Sequence, residues 1–184
     1  LASRPATLHA PHPGWAEADP RQWWANVCAI CHDLLAQAPH ARPHLAGIGV
    51  AGMLPALVLL DANGHPLRPS IQQSDARCGA ELAHLLATTD AQAFLATAGN
   101  GLNQQVAAPK LHWLAKHEPD TLAAAKTLLG SYDYIAYRLT HTLGLERNWA
   151  LEAGFLDLPT ARLAPDLVKL AGIPETLLPP VREG

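Results

Sequence analysis

Two apolar runs lie close together in the first half of the chain. From Leu45 to Met53 the sequence reads LAGIGVAGM, in which Leu45, Ile48, Val50 and Met53 are separated only by small residues. Pro55 interrupts, and Ala56-Leu57-Val58-Leu59-Leu60 follows as a second, solid run. Continuous apolar runs, rather than strict alternation, suit strands covered on both faces, so the pattern predicts two buried strands. Asp61-Ala62-Asn63-Gly64 then supplies a turn: Asp and Asn bond their own backbone, and Gly accepts positive φ. An extended segment follows. Ser74-Asp75 next offers a polar N-cap to a helix predicted from about Ala76 to Leu86.

The rest of the chain is mostly helical in its periodicity. Residues 1–18 read as extended, with Pro5, Pro11 and Pro13 spacing them out. Asp19-Pro20 opens a helix, Asp as N-cap and Pro at the first helical position. Trp24, Val27, Cys28, Cys31, Leu34 and Leu35 recur at helical spacing along it, and Pro39 ends it. After Leu82, Leu85 and Leu86, Asp90 can cap a short helix through Phe94 and Leu95, and Gly99-Asn100-Gly101 breaks the chain. Pro109 begins a helix through Leu111, Trp113 and Leu114. Asp120 caps the next, predicted to turn Leu122, Leu128 and Leu129 inward. Tyr132 to Thr140 is helical again, Leu143 to Leu158 fits neither period, and a helix from Pro165 to Ala171 closes at Gly172. Pro174 to Gly184 holds three Pro and reads as a linker. Buried strand runs followed by capped helices predict an α/β fold.

Composition narrows the classes. With 184 residues the chain has ample length for a core, as one domain or one lobe of something longer. Apolar residues make up 49% and charged residues 16%, as in a globular protein. A formal charge of −3 gives no electrostatic reason to expect nucleic acid. No apolar run approaches the roughly 20 residues of a membrane span. Three Cys, an odd number, argue against a disulfide scaffold and for a reducing, cytoplasmic setting. The chain opens at Leu1-Ala2-Ser3 as though cut from something longer.

Two short motifs invite over-reading. Cys28-Ala29-Ile30-Cys31-His32 has the C-x-x-C-H form of a haem attachment site. Both Cys, however, are predicted on the buried face of a capped helix, where free Cys acts as a small hydrophobe. Gly47-x-Gly49-x-x-Gly52 has the G-x-G-x-x-G form of a dinucleotide fingerprint. That motif needs a strand before it and a helix after it; these glycines lie inside a strand-like run followed by Pro55, so packing of small residues explains them better. Asp75-x-Arg77, beside Ser74, reads on residue types alone as a helix cap with a favourable first-turn carboxylate. His84, His112 and His117 share no spacing that would build a site, and Glu146, Glu152 and Asp157 receive no role.

The string GVAGMLPALVLLDANGHPLRPSIQQSDAR carries more information as a whole. With PHPGWAEADPRQWW, APKLHWLAKHEP and SYDYIAYRLT, in that order over nearly the whole chain, it resembles the N-terminal lobe of the FGGY carbohydrate kinases, in particular the xylulokinase-like branch. The resemblance implies a ribonuclease-H-like lobe of the actin and hexokinase type, truncated at both ends. Residues 1–184 would be part of the sugar-binding domain, with 174–184 a linker to missing segments. The family's phosphate-binding "D.GT" hairpin would precede this chain. Its catalytic Asp, from a "GgGD" segment, would lie downstream, so no catalytic residue and no metal ligand is assigned here. The parent would phosphorylate a sugar or polyol with ATP and Mg, bound mainly by segments absent from this chain, which alone would be inactive. No nucleic-acid or membrane partner is implied. A sheet edge left unpaired without the hairpin makes self-association, as a homodimer, an expectation.

The same resemblance places the substrate pocket at Met53, Leu54, Gln73, Asp75, Arg77 and Gln105. Three of these positions depart from better-known members. Met53-Leu54-Pro55 stands where xylulokinases carry "QMH", Gln73 where a pocket Trp is usual, and Gln105, five residues before Lys110, where glycerol kinases place a Tyr. Gln can hydrogen-bond a hydroxyl but cannot stack on a sugar's C–H face. Two other classes stay open: a non-catalytic α/β domain that binds a sugar or a partner, and a haem or redox protein built on the CAICH string.

Overall fold

The computed structural model describes residues 1–183. Its centre is a small antiparallel sheet. The elements run β1 (Glu17–Ala18), α1 (Pro20–Gln37), a 3-10 turn (Pro39–His44), β2 (Val58–Leu60), β3 (Ser70–Ile71), α2 (Gly79–Thr88), α3 (Ala91–Ala98), α4 (Ala107–His117), α5 (Pro119–Ala124), β4 (Thr127–Leu129), α6 (Ser131–Thr140), β5 (Leu145–Glu146), α7 (Arg147–Glu152), β6 (Leu156–Asp157), β7 (Arg162–Leu163), α8 (Pro165–Leu170), a 3-10 turn (Glu175–Leu177) and β8 (Val181–Arg182). β1 pairs antiparallel with β3, and β2 with β4. A single bridge, Leu57 to Ile71, joins the two pairs in the order β1-β3-β2-β4. β2 and β4 are buried throughout, β2 as an uninterrupted apolar run and β4 with Thr127 ahead of two leucines.

Local chemistry accounts for most of the boundaries. Asp19 caps α1 by accepting from Arg21 N at 2.9 Å, with Pro20 at the first helical position. Asp90 caps α3 through Gln92 N and Ala93 N. Asp61 gathers the amides of Asn63 and His65, and Gly64 turns the chain at φ 77°. Helices close over the sheet, and Tyr134, Lys110, Trp149 and Phe155 are among the largest fully buried side chains.

The structure corrects several expectations. Leu45–Met53 is no buried strand: it runs without secondary structure, and Leu45, Ile48 and Met53 are 61%, 62% and 55% exposed. A strand needs a partner ladder, and among the described residues none pairs with this run. Only the second run, at Val58–Leu60, meets a neighbour. Cys28 is exposed and Cys31 half-buried, because the inner face of α1 rests on α6 mainly through its earlier, larger side chains; Trp24 lies against Arg138 there. Leu128 and Leu129 belong to β4 rather than a helix, since a short buried strand and a buried helical segment look alike in apolar content. The helix expected from Ala76 begins at Gly79, with no side-chain cap, because the Asp75 carboxylate is engaged elsewhere. The stretch after Pro174 is packed: Leu177 and Leu178 are buried, and β8 runs parallel to β5.

Candidate functional site

Strand register brings several chain segments to one end of the sheet. Leu57 N donates to Ile71 O at 2.9 Å, so Leu54-Pro55, before β2, and Gln72-Gln73, after β3, leave the same end. Gln72 N donates to Ala16 O at 2.9 Å, adding the residues before β1. Val58 pairs with Leu129, which adds Gly130-Ser131 after β4. Ser131 Oγ donates to Met53 O at 2.9 Å. Trp149, on α7, closes the back by donating from Nε1 to Ala56 O at 3.1 Å. A cleft of about 300 Å³ opens here, lined by Trp23, Val50, Met53, Gln72, Ser131 and Tyr132 among others. A groove between α5 and the C-terminal turn is roomier, but carries only Lys126 and Thr176 as polar side chains. Four chain segments meet at this end of the sheet, and that convergence marks it as the candidate site.

Behind that end lies a buried ion network. The Asp75 carboxylate accepts from Ala16 N at 2.6 Å, from Arg77 N at 3.0 Å, and from Arg77 Nε and Nη2 at 2.8 and 2.7 Å. Arg77 also reaches Glu17 at 2.8 Å; Glu17 pairs with Arg68, and Arg68 with Glu118 at 2.9 Å. Among the described residues Arg77 Nη1 has no hydrogen-bond acceptor, but the guanidinium lies over the Trp15 ring at 3.7 Å and the Trp113 ring at 4.9 Å. The cation thus rests against aromatic π-clouds. Burial works to raise the Asp75 pKa, but the bonds from Arg77 and Ala16 outweigh it and hold the carboxyl below its ordinary value. Burial likewise opposes the Arg77 charge, and the Asp75 and Glu17 carboxylates reverse that, holding its pKa above the usual value.

Lys110 stands out. It lies in the first turn of α4, is 0% exposed, and donates from Nζ to Gln73 O at 3.3 Å and Gln105 O at 3.2 Å. Burial lowers its pKa to about 8. Beside it, burial raises the Cys78 thiol. On the other flank Asp133 accepts from Gly130 N and Glu146 N, and its burial raises its pKa to about 6.

The six residues expected at a pocket fall into two groups. Met53, Leu54, Gln73 and Gln105 border the sheet end: Met53 lines the cleft, Leu54 rests on the core, and one lysine holds the backbones at Gln73 and Gln105. Asp75 and Arg77 sit underneath, their charges directed at each other. Sequence reasoning passed over Glu17, Trp15, Trp149 and Lys110. Lys110 did leave a signal, a lone cation in the apolar stretch AAPKLHWL.

Known proteins resemble this chain over almost all of it. Residues 1–184 match the FGGY family of carbohydrate kinases, N-terminal domain. Xylulose kinase of Escherichia coli K12 is 30% identical over 97% of this chain and 36% of its own length. Autoinducer-2 kinase of Salmonella typhimurium is 30% identical over 93% of this chain and 32% of its own. The chain thus spans about a third of the length of these relatives. Among solved structures, xylulose kinase from Rhodospirillum rubrum is 52% identical with a TM-score of 0.94, covering 97% of this chain and 37% of that one. The enzyme from Brucella ovis is 33% identical with a TM-score of 0.91, covering 97% and 36%.

Proposed function

The chain belongs to the FGGY family of carbohydrate kinases, as an N-terminal domain, and on that premise we propose that it is the sugar-binding lobe of an ATP-dependent ketopentose or polyol kinase. The match of the entire chain to that domain carries the reading. In this reading the fold is a ribonuclease-H-like lobe, and residues 174–184 lead on to further segments of a longer, cytoplasmic enzyme able to form homodimers.

Phosphoryl transfer is chiefly positioning and charge stabilisation. A sugar hydroxyl oxygen forms a bond to the γ-phosphorus of ATP, the bond to the β-phosphate oxygen breaks, and ADP leaves while the hydroxyl proton passes to a base. The proposed part of this lobe is to hold the hydroxyl still. The side-chain amides of Gln73 and Gln105 are the hydroxyl partners, and Met53 and Leu54 offer apolar contact to C–H groups. Asp75 and Arg77 fix the loop that carries Gln73. Because Gln73 has no aromatic face, this sugar is gripped by hydrogen bonds rather than by stacking. Xylulose is therefore one candidate in a panel.

Among the described residues no three His, Cys, Asp or Glu side chains converge on a cation position. The carboxylates under the sheet end are committed to guanidiniums. These residues do not form a cradle for Mg or for the phosphates of ATP, so no step is routed through them here, and nucleotide and metal are assigned to the rest of the parent enzyme.

The test is ADP release with Mg-ATP across ketopentoses, polyols and glycerol, using the longer enzyme that contains these residues. Turnover of at least one sugar is expected. A folded enzyme that turns over none would move the non-catalytic binding-domain reading ahead.

A further inference from the structure

Lys110 is difficult to account for as a stabilising residue. A fully buried ammonium loses its hydration, and the Asp75 carboxylate whose charge acts on it is already engaged with Arg77. At a position surrounded by Ala107, Ala108, Leu111 and Leu114, all buried, an apolar side chain would serve the core at lower cost. What the ammonium does reach is specific: the main-chain carbonyls of Gln73, after β3, and Gln105, before α4. These two residues are 32 positions apart in sequence and share one cation. Neither segment has regular secondary structure to fix it. Apart from Lys110, Gln105 is held by a local turn in which Asn103 Oδ1 accepts from Gln105 N at 2.7 Å.

We propose that Lys110 is a positioning residue for the sugar site, a buried strap that sets the separation of the Gln73 and Gln105 backbones and so the spacing of the two amides offered to the substrate. The inference rests on the sugar-kinase reading. It deepens that reading by naming what holds the two binding loops in register. A misplacement of about 1 Å in groups that orient a substrate can cost on the order of 100-fold in rate, and a loosened strap misplaces such groups.

The experiment is Lys110→Met in the longer enzyme, with Michaelis constants for ATP and for whichever sugar the native enzyme accepts, alongside thermal unfolding of both proteins. Met keeps the length and the apolar stem and removes the donors and the charge. The strap predicts a sugar KM raised by about tenfold or more, an ATP KM within about twofold, and a melting temperature unchanged or higher. Loss of folding, or a lower melting temperature with unchanged sugar KM, would overturn the inference by showing a merely structural lysine. A native enzyme that accepts no sugar would overturn the kinase reading, and this inference with it; an active native enzyme whose sugar KM survives the substitution would overturn the inference alone.

Discussion

Removing Asp75 while leaving Arg77 should be among the most damaging single changes in this chain. The Asp75 carboxylate is fully buried and accepts four hydrogen bonds, two from the Arg77 guanidinium and two from the amides of Ala16 and Arg77. Asp75→Ala strands both amides, each worth about 1–3 kcal/mol when left unsatisfied, and deprives a buried guanidinium of its bidentate partner. Glu17 still holds Arg77 at 2.8 Å, which offsets part of the loss. The expected cost is therefore about 4 kcal/mol, within the ~3–5 kcal/mol typical of breaking a buried pair from one side. Equilibrium urea unfolding of the chain, followed by fluorescence of its five Trp, would read this as a midpoint lowered by about 2 M at a slope of about 2 kcal/mol per molar. Arg77→Met should cost a similar amount. The double variant Asp75→Ala/Arg77→Met should cost less than the two together, by about 2 kcal/mol or more, because the second change removes the charge the first left bare. Strict additivity, or single losses below about 1 kcal/mol, would refute the buried network as described. The pH dependence carries a sign. A carboxyl whose folded pKa is depressed stabilises above its unfolded pKa and loses that contribution as pH falls through the folded value. Native protein and Asp75→Ala should thus converge in stability in acid.

Other expectations follow from single sites. Gly64 sits at φ 77°, and an added Cβ would overlap the Tyr137 hydroxyl; Gly64→Ala should lower stability by about 1–3 kcal/mol in thermal unfolding. A thiol reagent such as Ellman's should titrate Cys28 and Cys31 in the native protein. Cys78, buried and with its thiol pKa raised, should react only on unfolding. Asp133, raised to about 6 by burial, binds its proton more tightly folded than unfolded. Folded stability should fall as pH rises from about 4 to about 6, by about 3 kcal/mol at most, and Asp133→Asn should flatten that slope in a pH series of urea midpoints.

What could be read from the sequence was what local chemistry decides. Asp19-Pro20, Asp90, Asp61 through Gly64, and Gly172 placed caps and turns correctly because each acts on its own neighbours. The strand at Val58–Leu60 was legible because its apolar run is solid, and in the fold it does find a partner in β4. Leu45–Met53 was misread because strand identity depends on a partner, and none of the described residues supplies one. Leu128-Leu129 was misread because two adjacent leucines satisfy either period. At the candidate site, motif likeness pointed to Gln73, Asp75 and Arg77, but spacing could not reveal that Asp75 and Arg77 face each other beneath the surface. Nor could it pair Glu17 with Arg68, or draw Lys110 to two distant carbonyls. Those contacts arise from register across β1, β3 and β2, which only the folded chain defines.

The proposed sugar site lies at the sheet end bearing Gln73 and Gln105. The most direct measurement is the sugar Michaelis constant of the longer enzyme in its native form and as Gln73→Ala and Gln105→Ala, with ATP saturating. Gln105 is exposed and Gln73 half-buried, so folding should survive either truncation. A lost hydrogen bond to an uncharged hydroxyl is worth about 0.5–1.5 kcal/mol, so each change should raise the sugar KM by roughly 2- to 13-fold with the ATP KM unmoved. Sugar KM values equal to the native one in both variants would contradict the account and place the sugar elsewhere.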